Sequence, residues 1–184
     1  MDVVLASASP RRRKLLLKIA KRFRVSAANI DESIHSGEPF SKACVRLAEK
    51  KAEAVAAKEK GAVVIGADTI AYLGQRNFRK TDDGGKAKKI LLFLRGKTHY
   101  VITGVCVIFP GGKKVKYSVK AAVRMKKYGE KGLASYLKSG EWKGRAGCYD
   151  ISGRGKKLVA GVRGEKETVI GLPLRKLRLV LKGN

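Results

Sequence analysis

Acid is what this chain lacks most. Against 42 Lys and Arg it carries only 15 Asp and Glu, a formal charge of +27 over 184 residues. Such a surface attracts phosphate-bearing partners, whether a polymer or a small nucleotide. The cations run along the whole chain and not in one block, which argues against a dedicated nucleic-acid arm. Aromatic residues make up 7% of the chain, too few for the stacking platform that single-strand binders use. Cysteines are also few: Cys44, Cys106 and Cys148 lie far apart among apolar or small residues. That pattern excludes a disulfide framework and a paired-cysteine metal site, and it fits a reducing cytoplasm. No apolar run reaches bilayer-spanning length, and no basic-then-apolar leader opens the sequence, so neither membrane insertion nor export is expected. His35 and His99 have no partners at metal-ligand or triad spacing. A P-loop and a G-x-G-x-x-G fingerprint are both missing.

What is present begins at the start of the chain. Residues 5–17 read LASASPRRRKLLL, an apolar strand end followed by serines, a proline, three arginines and a leucine-rich run. Ser9 before Pro10 is a helix-start signature, because the serine can cap orphan amides and the proline gives up an N–H that had no partner. Arg11, Arg12 and Arg13 then crowd the positive end of the helix, which is unfavourable unless an anion joins them. Two readings stand side by side: a phosphate cradle built from amides, the Ser7 and Ser9 hydroxyls and arginine forks, or a solvated basic helix start.

Hydrophobic patterning places a short strand at 3–6, a helix at 11–21 and a second strand at 23–27, an α/β beginning. A turn-rich stretch over 29–39 holds Asp31 and Glu32 and leads to a helix over 41–58. In that helix Cys44, Leu47, Ala48, Ala52 and Val55 form an apolar stripe, and Lys51 falls inside it. A buried ammonium without a partner costs several kcal/mol, so Lys51 either snorkels past the stripe or reaches an anion. The apolar run 62–67 predicts a central strand ending in GADT at 66–69, and residues 70–73 can take up strand again after it. This puts Asp68 at a strand end, either as a turn former or where a metal or a water is handled. A helix over 85–94, strands over 98–109 and 113–123 joined by Pro110-Gly111-Gly112, and a helix over 130–138 follow. The glycine-rich stretch 141–155 suits a loop, residues 157–162 a strand, and Leu174, Leu177 and Leu181 the apolar side of a last helix. Without a repeat or a linker, residues 1–184 are expected to form one domain.

Taken in order, SASPRRR, IDE at 30–32, EKKAEAV around Lys51, GADT, GKTHYVITGV at 96–105, AGCYDISGRG and VIGLPL at 169–174 resemble the Maf family over nearly the whole chain. The resemblance implies an elongated, two-lobed α/β domain with a mixed sheet and a central cleft, related to the inosine triphosphate pyrophosphatases. It implies a cytoplasmic, dimeric, metal-dependent enzyme that splits a nucleoside triphosphate into monophosphate and pyrophosphate, with Mg2+ or else Mn2+. Carried over position by position, Ser7, Ser9, Arg11, Arg12, Lys51 and Lys80 bind substrate. Asp68 is the catalytic residue, Glu32 and Asp68 are the metal ligands, and Arg11, Thr69 and Ser152 set specificity. Thr69 matches the dTTP/UTP branch; Ser152 stands where that branch usually has glutamine, which also leaves modified nucleotides within range. The competing readings are a basic nucleic-acid-binding protein and a non-catalytic cell-division regulator.

Overall fold

A computed structural model describes residues 2–183. Its strands are β1 (Val3–Leu5), β2 (Arg24–Val25), β3 (Val63–Leu73), β4 (Arg76–Asn77), β5 (Thr98–Ile108), β6 (Lys114–Met125) and β7 (Val159–Arg163). They form one mixed sheet in the order β2-β1-β3-β5-β6-β7, with β4 hydrogen-bonded to β3. β1 pairs in parallel with both β2 and β3, whereas β4 on β3 and β7 on β6 are antiparallel. The helices are α1 (Pro10–Leu16), α2 (Phe40–Ala56), α3 (Gly84–Leu94), α4 (Glu130–Lys138), α5 (Lys166–Ile170) and α6 (Leu174–Lys182). The chain divides into two compact units, and β3, β5 and β6 each run from one into the other.

The first unit comprises residues up to Thr69, Ile102–Val119 and Gly171 onward. Its core packs the apolar stripe of α2 (Ala48, Ala52, Val55) against Val4, Ala6, Val64, Cys106 and Ile108. Two glycines permit this close fit. A Cβ on Gly66 of β3 would lie 2.1 Å from the Ala48 carbonyl oxygen, and one on Gly104 of β5 would lie 2.3 Å from the Cys44 carbonyl. The second unit, Ile70–Val101 and Lys120–Ile170, has its own core of Phe78, Leu91, Leu94, Val101, Val123, Leu133, Tyr136 and Trp142.

Several elements differ from the sequence expectation. α1 stops at Leu16, because the Lys18 and Ile19 amides close tighter i to i−3 turns on the Leu15 and Leu16 carbonyls rather than extending the helix. β2 shrinks to two residues, both exposed, since only β1 pairs with it. β3 continues through GADT to Leu73, so Asp68 sits inside a strand and not at its end. Pairing to neighbouring strands carries the run past the polar pair, and Asp68 and Thr69 find side-chain partners there. Residues 154–158 form a 3₁₀ turn ahead of β7, and α5 is a five-residue helix that the hydrophobic pattern does not mark. The Pro110-Gly111-Gly112 turn forms as expected, with Gly111 at φ 84° and Gly112 at φ 88°.

Candidate active site

In the first unit the opening stretch folds as its cap residues dictate. The Ser9 hydroxyl accepts from the Arg12 amide at 3.4 Å, and the Ser7 hydroxyl accepts from the Ser9 amide at 3.3 Å. Arg12 is buried, 5% exposed, and its guanidinium is shared among three chain segments. Nε donates to the Gly171 carbonyl at 2.8 Å, Nη1 to the Ser7 hydroxyl at 3.1 Å and Nη2 to the Thr69 hydroxyl at 3.0 Å. Thr69 in turn shares a 2.9 Å hydrogen bond with Thr103 on β5. Burial lowers the pKa of Arg12, while the negative charges of Asp68 and Glu32 act to raise it. Arg11 is half-buried and Arg13 exposed, so consecutive arginines do different work.

Lys51 does not snorkel. It is 5% exposed, and its Nζ lies 2.6 Å from Asp68 Oδ1 on β3 and 2.6 Å from Glu32 Oε1. The inward lysine of the stripe thus lies between two carboxylates, Asp68 buried and Glu32 largely exposed. Glu32 comes from an irregular segment that α2 holds by a separate grip. Arg46 binds both Glu38 oxygens, at 2.7 and 2.6 Å, and donates to the Ser33 carbonyl at 3.0 Å. The arginine bond pulls the Glu38 carboxyl down to about 2. One helix therefore supplies the central cation and also fixes the loop that brings the second carboxylate.

The structure brings together Ser7, Ser9, Arg12 and Thr69 in one network and Glu32, Lys51 and Asp68 in another, with the charges of Asp68 and Glu32 felt at Arg12. Lys80 and Ser152 belong to the second unit, where both are exposed. The Ser152 amide donates to Asp150 Oδ1 at 2.9 Å, and Asp150 Oδ2 accepts from Arg145 Nε at 3.1 Å. Sequence reasoning missed Thr103, the Gly171 carbonyl and the Arg46–Glu38 grip. Thr103 lies within the quoted GKTHYVITGV stretch, but nothing local marks it as a partner of Thr69. The three thiols are buried, and burial raises them, Cys44 and Cys106 to about 12 and Cys148 to about 11, which makes them poor nucleophiles.

The model of Maf-like proteins matches residues 2–184. The chain belongs to the Maf family. A dTTP/UTP pyrophosphatase of Hyphomonas neptunium is 42% identical over 182 residues, covering 98% of this chain and 94% of that protein. A dTTP/UTP pyrophosphatase of Myxococcus xanthus is 44% identical over 172 residues, 94% of this chain and 87% of its own. A nucleoside triphosphate pyrophosphatase of Anaplasma marginale is 39% identical over 182 residues, with coverages of 98% and 93%. Among solved structures, the Staphylococcus aureus Ham1 protein superposes with a TM-score of 0.55 at 16% identity, covering 100% of this chain and 99% of that one. At that identity the likeness shows that the Maf fold shares the Ham1 architecture, and no more.

Proposed function

We propose that this Maf-family chain hydrolyses nucleoside triphosphates to the monophosphate and pyrophosphate, with dTTP and UTP as first substrates and modified nucleotides next in range. The observation that carries the reading is the buried Lys51 ammonium between Glu32 and Asp68. An inward lysine on an apolar stripe is costly, and here it organises two carboxylates beside a serine- and arginine-rich helix start. The names of the curated relatives support the same activity.

In the mechanism, Asp68 takes a proton from a water whose oxygen attacks the α-phosphorus. The bond from that phosphorus to the bridging oxygen breaks, and the electron pair leaves with pyrophosphate. Arg11 and Lys51 offset charge on the phosphate chain, while Ser7 and Ser9 orient it. Arg12, with each guanidinium nitrogen engaged, positions Thr69 and the helix start while adding positive charge. Thr69 meets the nucleoside end, with Arg11 selecting among substrates.

Among the described residues no group of three or more His, Cys, Asp or Glu could enclose a metal ion. Two carboxylates on one cation are nonetheless a fitting donor set for Mg2+, which binds through one or two carboxylates and fills its shell with water and substrate phosphate. Glu32 and Asp68 would hold it, with Mn2+ as the alternative, and when bound it would neutralise phosphate charge. Among the described residues no helix is long and apolar enough to cross a membrane. The same reading makes the enzyme a homodimer working in a reducing cytoplasm.

Pyrophosphate release from a panel of canonical and modified nucleoside triphosphates with Mg2+ tests the proposal. Asp68→Asn is expected to lower turnover at least about 100-fold. No turnover of any nucleotide by the unaltered protein refutes the activity, and equal turnover by Asp68→Asn refutes the role of that residue.

A further inference from the structure

A hydroxyl at the nucleoside end is by itself a weak discriminator. It carries one hydrogen and two lone pairs, and it turns to donate or to accept as its partner requires. On the pairing edge, uracil and thymine present the O4 acceptor and the N3–H donor, whereas cytosine presents an amino donor at C4 and a bare N3 acceptor. A freely turning Thr69 would serve either pattern. Preference for one of them needs something that holds the Thr69 hydroxyl in place.

Two neighbours supply that hold, both within the first unit. Arg12 Nη2 lies 3.0 Å from Thr69 Oγ1 and can only donate, so one lone pair of the hydroxyl is always taken. Thr103 Oγ1, on β5, lies 2.9 Å away and takes either the hydrogen or the second lone pair. One position of a single polarity is then left on Thr69 for a ligand. Thr69 is half-buried and can meet that ligand, whereas Thr103 is 0% exposed and cannot. Burial is what stiffens the pair. If Thr69 reverses, Thr103 must reverse with it, and the change falls on groups shut off from water, where an unmatched donor or acceptor is costly. Thr103 has no room to withdraw either, because a Cβ on the next residue, Gly104, would stand 2.3 Å from the Cys44 carbonyl of α2. We infer that Thr103 is a specificity-determining positioning residue: it fixes one hydrogen-bonding polarity at Thr69, which lets the site tell a 4-oxo pyrimidine triphosphate from a 4-amino one. The inference rests on the reading that Thr69 meets the nucleoside.

The test measures kcat/KM for UTP and for CTP by pyrophosphate release with Mg2+. The unaltered protein should favour UTP at least about tenfold. Thr103→Val keeps the side-chain shape and removes the hydroxyl; it should shrink the UTP-to-CTP ratio at least about fivefold, and Thr103→Ala, which removes the same hydroxyl, should do likewise. Thr103→Ser retains the hydroxyl and should hold the ratio within about twofold. Thr69→Val should also shrink the ratio, and adding Thr103→Val to it should change the ratio less than about twofold, because one residue acts through the other. The inference is overturned, with the activity left standing, by an unaltered protein without preference, by equal losses for both nucleotides in Thr103→Val, by Thr103→Ser behaving like Thr103→Val, or by a further fall in the double variant. An unchanged ratio in Thr69→Val overturns the reading that Thr69 meets the nucleoside, and the inference with it.

Discussion

Lys51 shows how one side chain can look wrong in the sequence and be required by the structure. Its stem lies in the apolar stripe of α2 while its ammonium reaches Asp68 and Glu32, each at 2.6 Å. Removing one partner of a buried ion pair leaves the other with its desolvation cost and nothing to offset it, typically about 3–5 kcal/mol. Lys51→Met keeps the apolar reach and removes only the charge. It is expected to lose about 3 kcal/mol in denaturant unfolding and at least about 100-fold in pyrophosphate release. Unchanged values in both measurements would show the ammonium to be a bystander. The presence of Lys51 in the stripe was legible from spacing alone. Its destination was not, because Glu32 and Asp68 lie far from it in sequence and only tertiary packing brings them together.

At the scale of elements, the site depends on how closely α2 lies on the sheet. Gly66 and Gly104 are the points of closest approach, and a methyl at Gly66 would meet the Ala48 carbonyl at 2.1 Å and the Ala52 amide at 2.9 Å. Those atoms are helix backbone and cannot step aside singly. Gly66→Ala is therefore expected to cost about 1–3 kcal/mol and to shift α2, with Lys51 on it. Displacing a catalytic group by about 1 Å can cost about 100-fold, so turnover should fall more than stability suggests. Gly132→Ala, on α4 with nothing within 4 Å of its Cβ, serves as the control and should be neutral or slightly stabilising. The elements that sequence patterning found are those with strong periodicity or clear caps, such as α2, the β5–β6 hairpin and the Ser9 start of α1. Those it misplaced are governed by partners: the continuation of β3 through Asp68 depends on adjacent strands, and α5 spans only five residues.

For the molecule as a whole, acid should weaken the second unit through one residue. His99 is fully buried, its Nε2 bonded to the Tyr149 hydroxyl at 2.8 Å, and its Nδ1 has no hydrogen-bond partner among the described residues. Burial pushes its pKa down from 6.5 to about 4. The unfolded chain therefore takes up a proton as pH falls through 6.5, while the folded chain does not until about 4. Stability from this group is full above that window and declines through it by about 1.4 kcal/mol per pH unit. Unfolding midpoints measured across the window should show the decline, and His99→Leu should flatten it. The three-way grip of Arg12 on Ser7, Thr69 and Gly171 bears on synthesis as well. The first unit is assembled from the start, the middle and the end of the chain, whereas the second is complete by residue 170. On the ribosome, Arg12 must wait for residue 171, 159 positions later, before its shell closes. A nascent chain arrested between residues 170 and 171 holds every residue of the second unit but leaves Arg12 without the Gly171 carbonyl.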